Sequence, residues 1–233
     1  MGSVLRPSSR ERGRWAFRNS RLAARRVAPG GAVTGVDLNE GMLALARRLP
    51  LPPGITIQWR QGSAVALPFA DGTYQVVLCQ QGLQFFPDRL KALGEMRGVL
   101  TSAGRVALSV WTGASPYFVA QREALGRYVG VDATMASTAA FSLGNADELR
   151  GLVQDAGFRD VVVHHVRMTL RLPPPEKFVL KHLSAGPVAE LVAAAGDEAR
   201  GAIVAHMQTV IRGYVDGYGV AVPQEVNVAT AHV

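Results

Sequence analysis

The alternation of short strand-like runs with helical segments between Ala32 and Trp111 is the feature that most constrains the fold of this chain. The strand-like runs are bounded by Gly and Pro turns, and between them apolar residues recur at helical spacing. Predicted strands cover residues 32–37, 56–60, 75–79 and 105–111, with helices following Asn39 and Asp88. Such βαβ units, joined by right-handed crossovers, predict an α/β fold with a mostly parallel sheet.

After Trp111 the pattern becomes more helical. Helices are predicted over residues 117–128 and 145–156, strands over 161–166 and 168–172, and further helices from Pro175 to about Tyr218. Residues 223–233 are expected to fray, because no capped or charged boundary fixes them.

Positive charge is concentrated at one end of the chain. Eight of the 25 basic residues and one of the 18 acidic residues lie within residues 1–26, so residues 27–233 carry 17 of each sign. We therefore divide the chain into a basic N-terminal segment, 1–26, expected to be disordered or atypical, and one domain, 27–233. Binding of nucleic acid would have to depend on the basic segment alone, which also holds Trp15 and Phe17 as possible stacking groups.

No apolar run reaches the roughly 18–20 residues that a membrane helix needs, and no secretory signal is recognisable, so we expect a soluble, cytoplasmic protein. The single cysteine, Cys79, cannot form an internal disulfide and lies in an apolar strand-like run. This placement predicts a buried thiol and no metal site.

Asp37 is the strongest single chemical signal, because it ends a predicted strand. In open α/β sheets ligands bind at the carboxyl ends of the strands, where an acid can accept from both hydroxyls of a ribose. An acid at this position is also a common helix cap, so the residue alone leaves both interpretations open.

Longer stretches carry a resemblance to a known family. Three runs within about residues 27–112 resemble the central half of class I S-adenosylmethionine (SAM)-dependent methyltransferases of the ubiquinone/menaquinone biosynthesis type. These runs are VTGVDLNEGMLALARRL, QGSAVALPFADGTYQVVLCQQGLQFFPDRLKALGEMRGVL and GRVALSVW. The later run AFSLGNADELRGLVQDAGFRDVVV resembles the part of that family in which the chain returns to the sheet. The resemblance implies a Rossmann-like sheet with SAM across its carboxyl edge, a helical cap, and methyl transfer to a small hydrophobic molecule.

The resemblance also implies which residues would contact SAM. Asp37 would hold the ribose hydroxyls, Leu38 and Met42 would bound the adenosine, Gly62, Ser63 and Ala64 would border the adenine, and Cys79, Gln80 and Gln81 would line the methionine side. The residue pattern alone allows other roles: Met42 lies on the apolar face of its helix, and the two glutamines could satisfy backbone groups at a strand end.

The sequence departs from this family at two points. Before the helix that leads into RLAARRVAPGGAV, the family has a strand that ends in a Gly-x-Gly-x-Gly loop, whereas this chain has GRWAFRNS. The missing strand would be central, so we expect unpaired edges on its neighbours unless the N-terminal segment or a second copy covers them. Ser63 stands where the family has an acid, and a neutral hydroxyl accepts more weakly than a carboxylate.

Several alternatives stay open from the sequence. If the start of the gene is misplaced, residues 1–20 are not a structural element that selection has maintained. The domain could then be a methyltransferase-like protein that has lost cofactor binding. A nucleic-acid binder that uses the basic segment, and an NAD-linked dehydrogenase, are further alternatives. No catalytic residue is assigned among His164, His165, His182, His206 and His232. The acceptor region is predicted over residues 113–140 and 173–220, where Tyr117, Phe118 and Phe178 suit a small hydrophobic acceptor, and the acceptor itself is not identified.

Overall fold

The computed structural model describes residues 18–28, 30–51, 54–113, 115–184, 188–217 and 219–233. The first part of the chain contains α1 (Arg18–Val27), β1 (Val33–Asp37), α2 (Glu40–Arg48), β2 (Ile57–Gln61), β3 (Tyr74–Gln80), α3 (Arg89–Gly98) and β4 (Leu100–Trp111). The second part contains α4 (Pro116–Tyr128), α5 (Val131–Thr138), α6 (Ala146–Asp155), β5 (Arg159–Leu172), α7 (Pro175–Leu183), α8 (Ala189–Ala194), α9 (Gly196–Val210), β6 (Val215–Asp216) and β7 (Gly219–His232).

The strands form two separate sheets. β1 and β2 pair in parallel, and a second sheet has the order β3-β4-β7-β5, with β6 added on β7. β3 and β4 are also parallel. The predicted α/β fold with a mostly parallel sheet is confirmed, and within the described residues no strand joins β1 to β3. This gap lies where the missing central strand was predicted.

The β1–β2 pair and α2 form a small packed layer of their own. Leu43 and Ala46 are buried, and Trp59 of β2 packs against them. Gly35 of β1 is required by this packing, because a Cβ atom there would overlap the Trp59 ring. The side chain of Asn39 caps α2 by accepting a hydrogen bond from the backbone N–H of Met42. Helix capping and aromatic packing therefore fix the carboxyl end of β1.

The prediction that residues 223–233 fray is wrong. They belong to β7, in which Val226, Ala229 and Ala231 are buried. The backbone N–H of Val233 donates to the carbonyl of Gly104 at 3.1 Å, which ties down the end of the chain. Alternating apolar residues, rather than a cap, hold this strand in the sheet.

The predicted break within residues 161–172 is also absent, because β5 runs without interruption through Arg167. The guanidinium of Arg167 is exposed and forms an ion pair with Glu225 at 2.9 Å. A single polar residue on the solvent side of a strand does not interrupt it.

The chain divides into two compact units. The first takes residues up to 110, 145–165 and 227–233, and the second takes 111–144 and 166–226. Both predicted acceptor segments fall in the second unit, and their role stays a prediction. The predicted boundary at residue 26 falls inside α1, whereas residues 1–17, with Trp15, Phe17 and four of the eight basic residues of the N-terminal segment, lie outside the described residues. In the described part of the chain, no helix is both long and apolar enough to cross a membrane.

Candidate functional site

Asp37 lies at the carboxyl end of β1 and is half-buried. One carboxylate oxygen accepts a hydrogen bond from the backbone N–H of Asn39 at 2.8 Å. The backbone carbonyl of Asp37 accepts from the N–H of Gly62 at 3.1 Å, which joins the ends of β1 and β2. No other hydrogen bond to the carboxylate occurs among the described residues, so its second oxygen can accept from a ligand hydroxyl.

Gly62, Ser63 and Ala64 follow β2 in a tight turn beside Asp37. A Cβ atom on Gly62 would lie 2.9 Å from Cδ of Pro68, so packing within the protein already requires glycine here. The Ser63 hydroxyl accepts from the N–H of Val65 at 3.3 Å, and the Ser63 carbonyl accepts from Ala66 at 3.2 Å. The hydroxyl keeps its own hydrogen to donate, so Ser63 can still bond a polar ligand edge.

Leu38 and Met42 differ in how they present their side chains. Leu38 is 70% exposed, and its carbonyl is held by the amide of Gln61 at 3.1 Å. Met42 is half-buried and packs against the Leu43 and Ala46 cluster. Leu38 thus offers a free apolar surface at the strand end, whereas packing occupies part of Met42.

Cys79, Gln80 and Gln81 end β3, in the other sheet. Cys79 is fully buried, and burial is the main reason that its pKa is raised to about 11, so the thiol is protonated at neutral pH. A thiol in this state is a poor nucleophile. Gln80 is half-buried.

Gln81 has a left-handed backbone conformation, with φ of 51°, which is uncommon for a residue with a side chain. Its backbone N–H donates to the Ser109 carbonyl at 2.9 Å, and its side-chain oxygen accepts from the amide of Gln84 at 3.1 Å. These bonds hold a strained residue at the end of a strand, where strain often marks a functional position.

The structure thus brings the predicted residues together in two groups. Asp37, Leu38, Met42, Gly62, Ser63 and Ala64 surround the ends of β1 and β2, and Cys79, Gln80 and Gln81 end β3. None of the hydrogen bonds described above joins the two groups. The role of each residue in cofactor binding stays a prediction.

Tyr117, Phe118 and Phe178, which the sequence places in the predicted acceptor region, form an aromatic cluster in the second unit, and the sequence did not reveal that His182 joins it. The Tyr117 hydroxyl lies 3.2 Å from Nδ1 of His182, whose ring stacks on Phe178 with centroids 5.2 Å apart. Burial raises the pKa of Tyr117, so its phenol stays neutral and serves as a hydrogen-bonding group. Two other histidines also have partners: Nδ1 of His165 lies 3.3 Å from Oδ1 of Asn227, and the His206 ring packs edge-on against Tyr128. The cluster joins residues far apart in sequence, and helical spacing alone does not reveal it.

The first group fits the nucleoside half of SAM. It combines a carboxylate with a free oxygen, an exposed apolar side chain at Leu38 and a hydroxyl at Ser63. These are the groups that a ribose, the face of a purine and a purine edge require. The sequence before α1 holds no Gly-x-Gly-x-Gly loop, so contacts with the methionine half of SAM would depend on the second group, whose role stays a prediction.

Comparison with known proteins points in the same direction. Residues 18–108 match a family described as a methyltransferase domain. The chain is 39% identical over 87 residues to the demethylmenaquinone methyltransferase of Thermus thermophilus, covering 37% of this chain and 40% of that protein. It is 30% identical over 159 residues to the ubiquinone/menaquinone biosynthesis C-methyltransferase of Klebsiella pneumoniae, covering 61% and 62%. The chain therefore spans between about two fifths and three fifths of these relatives.

Solved structures show a similar fold. A methyltransferase structure from Bacillus halodurans has a TM-score of 0.54 and 18% identity, covering 91% of this chain and 88% of that one. The YcgJ protein from Bacillus subtilis has a TM-score of 0.54 and 15% identity, covering 86% and 82%. At these identities the likeness concerns the fold alone.

Proposed function

We propose that this chain, which is class I methyltransferase-like in sequence and fold, binds the adenosine part of SAM at the carboxyl ends of β1 and β2 and serves methyl transfer to a small hydrophobic molecule. The observation that carries the proposal is the Asp37 carboxylate, which is fixed at a strand end by Asn39 and has one oxygen without a hydrogen-bonding partner among the described residues. The sequence similarity to quinone methyltransferases supports the acceptor class.

Each residue of the first group would have a distinct task. Asp37 would accept from the ribose hydroxyls, Leu38 would cover one face of the adenine, and Ser63 would donate to or accept from the adenine edge. Asp37 already receives one backbone N–H, so it is oriented before a ligand arrives, and less entropy is lost on binding.

SAM would supply an electrophilic methyl group, and the protein would contribute mainly proximity and alignment of the acceptor. The Cys79 thiol is buried and protonated, so it is not suited to a covalent step. In the second unit, Tyr117 and Phe178 are buried against each other, so we assign them no contact with the acceptor.

The test is isothermal titration of the full chain with SAM and with S-adenosylhomocysteine. Asp37→Asn keeps the size of the side chain and removes its charge, so we expect the dissociation constant to rise about ten- to hundredfold, as for loss of one charge-assisted hydrogen bond. Asp155→Asn is the matched control: Asp155 is exposed at the end of α6 and makes no hydrogen bond with another described residue.

Equal binding by the wild-type and Asp37→Asn proteins would show that Asp37 does not hold the ribose. If the chain is folded by circular dichroism and neither ligand binds, the proposal is wrong, and the alternative of a methyltransferase-like protein without its cofactor is supported. Binding that is weakened by Asp37→Asn and unchanged by Asp155→Asn is the result that supports the proposal.

A further inference from the structure

The turn between β3 and α3 has an inverted pattern of burial. Gln81, Gly82, Leu83 and Gln84 are all buried, whereas the Phe85 side chain is 40% exposed. In most proteins glutamine side chains lie at the surface and phenylalanine side chains lie inside. Burying polar groups and exposing an aromatic ring both cost free energy, so stability alone does not explain this turn.

Hydrogen bonds hold both buried glutamines in place. The side-chain amide of Gln84 donates to the side-chain oxygen of Gln81 at 3.1 Å, and the backbone N–H of Gln81 donates to the carbonyl of Ser109 at 2.9 Å. Gln81 also keeps its left-handed backbone conformation, with φ of 51°. A residue with a side chain persists in this conformation only where its surroundings impose it, so the turn has one fixed shape.

Close packing supports the turn from below. Leu83 is fully buried, and the backbone N–H groups of Gly82 and Leu83 donate to the sulfur of Cys79. A Cβ atom on Gly82 would lie 3.1 Å from that sulfur and 3.3 Å from the Phe86 ring, so these groups are already in contact. The backbone N–H of Phe85 donates to the carbonyl of Gly82 at 2.9 Å. Phe85 is therefore an exposed ring on a fixed support, and little entropy is lost when a ligand covers it.

The exposed apolar surface continues into α3. Leu90, in the first turn of this helix, is 46% exposed. The guanidinium of Arg89 donates to the carbonyl of Gln84 at 3.4 Å, which joins the start of the helix to the turn, and the Asp88 side chain caps the helix. Phe85 and Leu90 thus present two apolar side chains on one continuous, hydrogen-bonded segment.

This turn directly follows the second group of predicted cofactor residues, Cys79, Gln80 and Gln81, at the carboxyl end of β3. Contacts with the methionine half of SAM, which carries the methyl group, would depend on that group. Phe85 comes four residues after Gln81, and the hydrogen bonds of the turn fix its position relative to the end of the strand. A molecule that covers the Phe85 ring is therefore held at the same end of β3 as the methyl group would be.

We propose that Phe85 is a contact surface for the methyl acceptor, and that the acceptor is planar and apolar, so that its ring stacks on the Phe85 ring. This inference rests on the proposed function, which assigns methyl transfer to a small hydrophobic molecule. Two aromatic rings in contact gain free energy beyond that of the area they bury. Leu90 adds apolar area without a preference for a flat ligand, so the selectivity depends on Phe85.

The test compares 2-naphthol with 2-decalol. The two alcohols share a carbon skeleton and a hydroxyl group, but the first is flat and the second is saturated and puckered. Binding of each to the full chain is measured by isothermal titration, with and without S-adenosylhomocysteine. We expect 2-naphthol to bind about two- to tenfold more tightly than 2-decalol, which is the range for one aromatic pair.

Variants of the chain locate the flat ring. Phe85→Leu keeps an apolar side chain and removes the ring, so 2-naphthol should bind about two- to tenfold more weakly while the affinity for 2-decalol changes little. Phe85→Trp keeps a flat ring and should keep the preference for 2-naphthol. Phe69→Leu is the matched control, since it makes the same change in the loop before β3, where Phe69 lines a cavity of the first unit. This control should bind both alcohols as the wild type does.

Three results would overturn the inference. Equal binding of the two alcohols by the wild type, or of 2-naphthol by the wild type and Phe85→Leu, would mean that Phe85 does not select a flat ligand. Binding of 2-naphthol that is weakened by Phe69→Leu and not by Phe85→Leu would place the ligand in the cavity. Failure of both alcohols to bind a folded chain that binds S-adenosylhomocysteine would refute this inference and leave the proposed function standing.

Failure of the proposed function gives a different result. If 2-naphthol binds with the expected preference and S-adenosylhomocysteine does not bind, the proposed function is wrong, and Phe85 loses its role as an acceptor contact with it. If the folded chain binds neither the alcohols nor S-adenosylhomocysteine, both are wrong. Binding of S-adenosylhomocysteine together with a preference for 2-naphthol that disappears in Phe85→Leu is the result that supports both.

Discussion

The burial of β7 predicts that Val226→Ala destabilises the protein strongly. The Val226 side chain is 6% exposed, and the substitution removes two methyl groups from the interior. At about 0.8 kcal/mol for each buried carbon, transfer alone costs about 1.6 kcal/mol, and the remaining cavity brings the expected loss to about 2–3 kcal/mol. A frayed end would give a change within about 0.5 kcal/mol.

Urea unfolding followed by far-UV circular dichroism measures this loss. With a slope of about 2 kcal/mol per molar urea, the midpoint should fall by about 1 M or slightly more. Val215→Ala is the matched control, because Val215 is in the neighbouring strand β6 and is 46% exposed, so it tests the same chemical change at the surface. If the two variants unfold at the same urea concentration, β7 is not packed as the structure shows.

Two further predictions concern a helix cap and a thiol. Asn145→Ala should lower the free energy of unfolding in urea by about 1 kcal/mol, because the Asn145 side chain caps α6 by accepting from two backbone N–H groups. Ser115→Ala should lower it less, since the Ser115 hydroxyl makes no capping hydrogen bond. Equal losses in the two variants would contradict this prediction. The pKa of Cys79 is raised from 9.0 to about 11, so between these values the native thiol keeps its proton while the unfolded thiol loses it. The contribution of the protonated Cys79 to stability is therefore complete below about pH 9 and is lost as the pH rises toward 11. Cys79→Ala should lose less stability than wild type between about pH 9 and pH 11, and identical losses would refute the assignment.

Local patterns were enough to predict the first half of the fold. The strand predicted over residues 32–37 is β1, and the helix predicted after Asp88 is α3, with Asp88 itself as the cap. In both cases a turn or cap residue stands beside a periodic apolar run, so short-range sequence determines the boundary. β7 was missed because its alternation is interrupted by polar residues such as Gln224 and Asn227, which are buried by the tertiary structure.

The candidate site was predictable where it depends on neighbours in sequence, and was not where it depends on the fold. Asp37 and Asn39 lie two residues apart, and a strand followed by a helix brings their groups into contact. The pairing of Tyr117 with His182 joins two helices of the second unit, and the strained backbone of Gln81 depends on the position of Ser109 in β4. No periodicity in the sequence encodes such contacts.

The gap between the sheets and the nucleoside site can coexist because they use different parts of the first unit. Asp37 is positioned by the β1–β2 ladder, by the Asn39 cap and by the N–H of Gly62, and none of these contacts involves β3. The layer of β1, β2 and α2 has its own buried residues in Leu43 and Ala46, so it can keep its geometry while the other edge of β1 has no described strand beside it. The geometry of the proposed nucleoside site therefore depends on contacts within this layer and not on what lies along the other edge of β1.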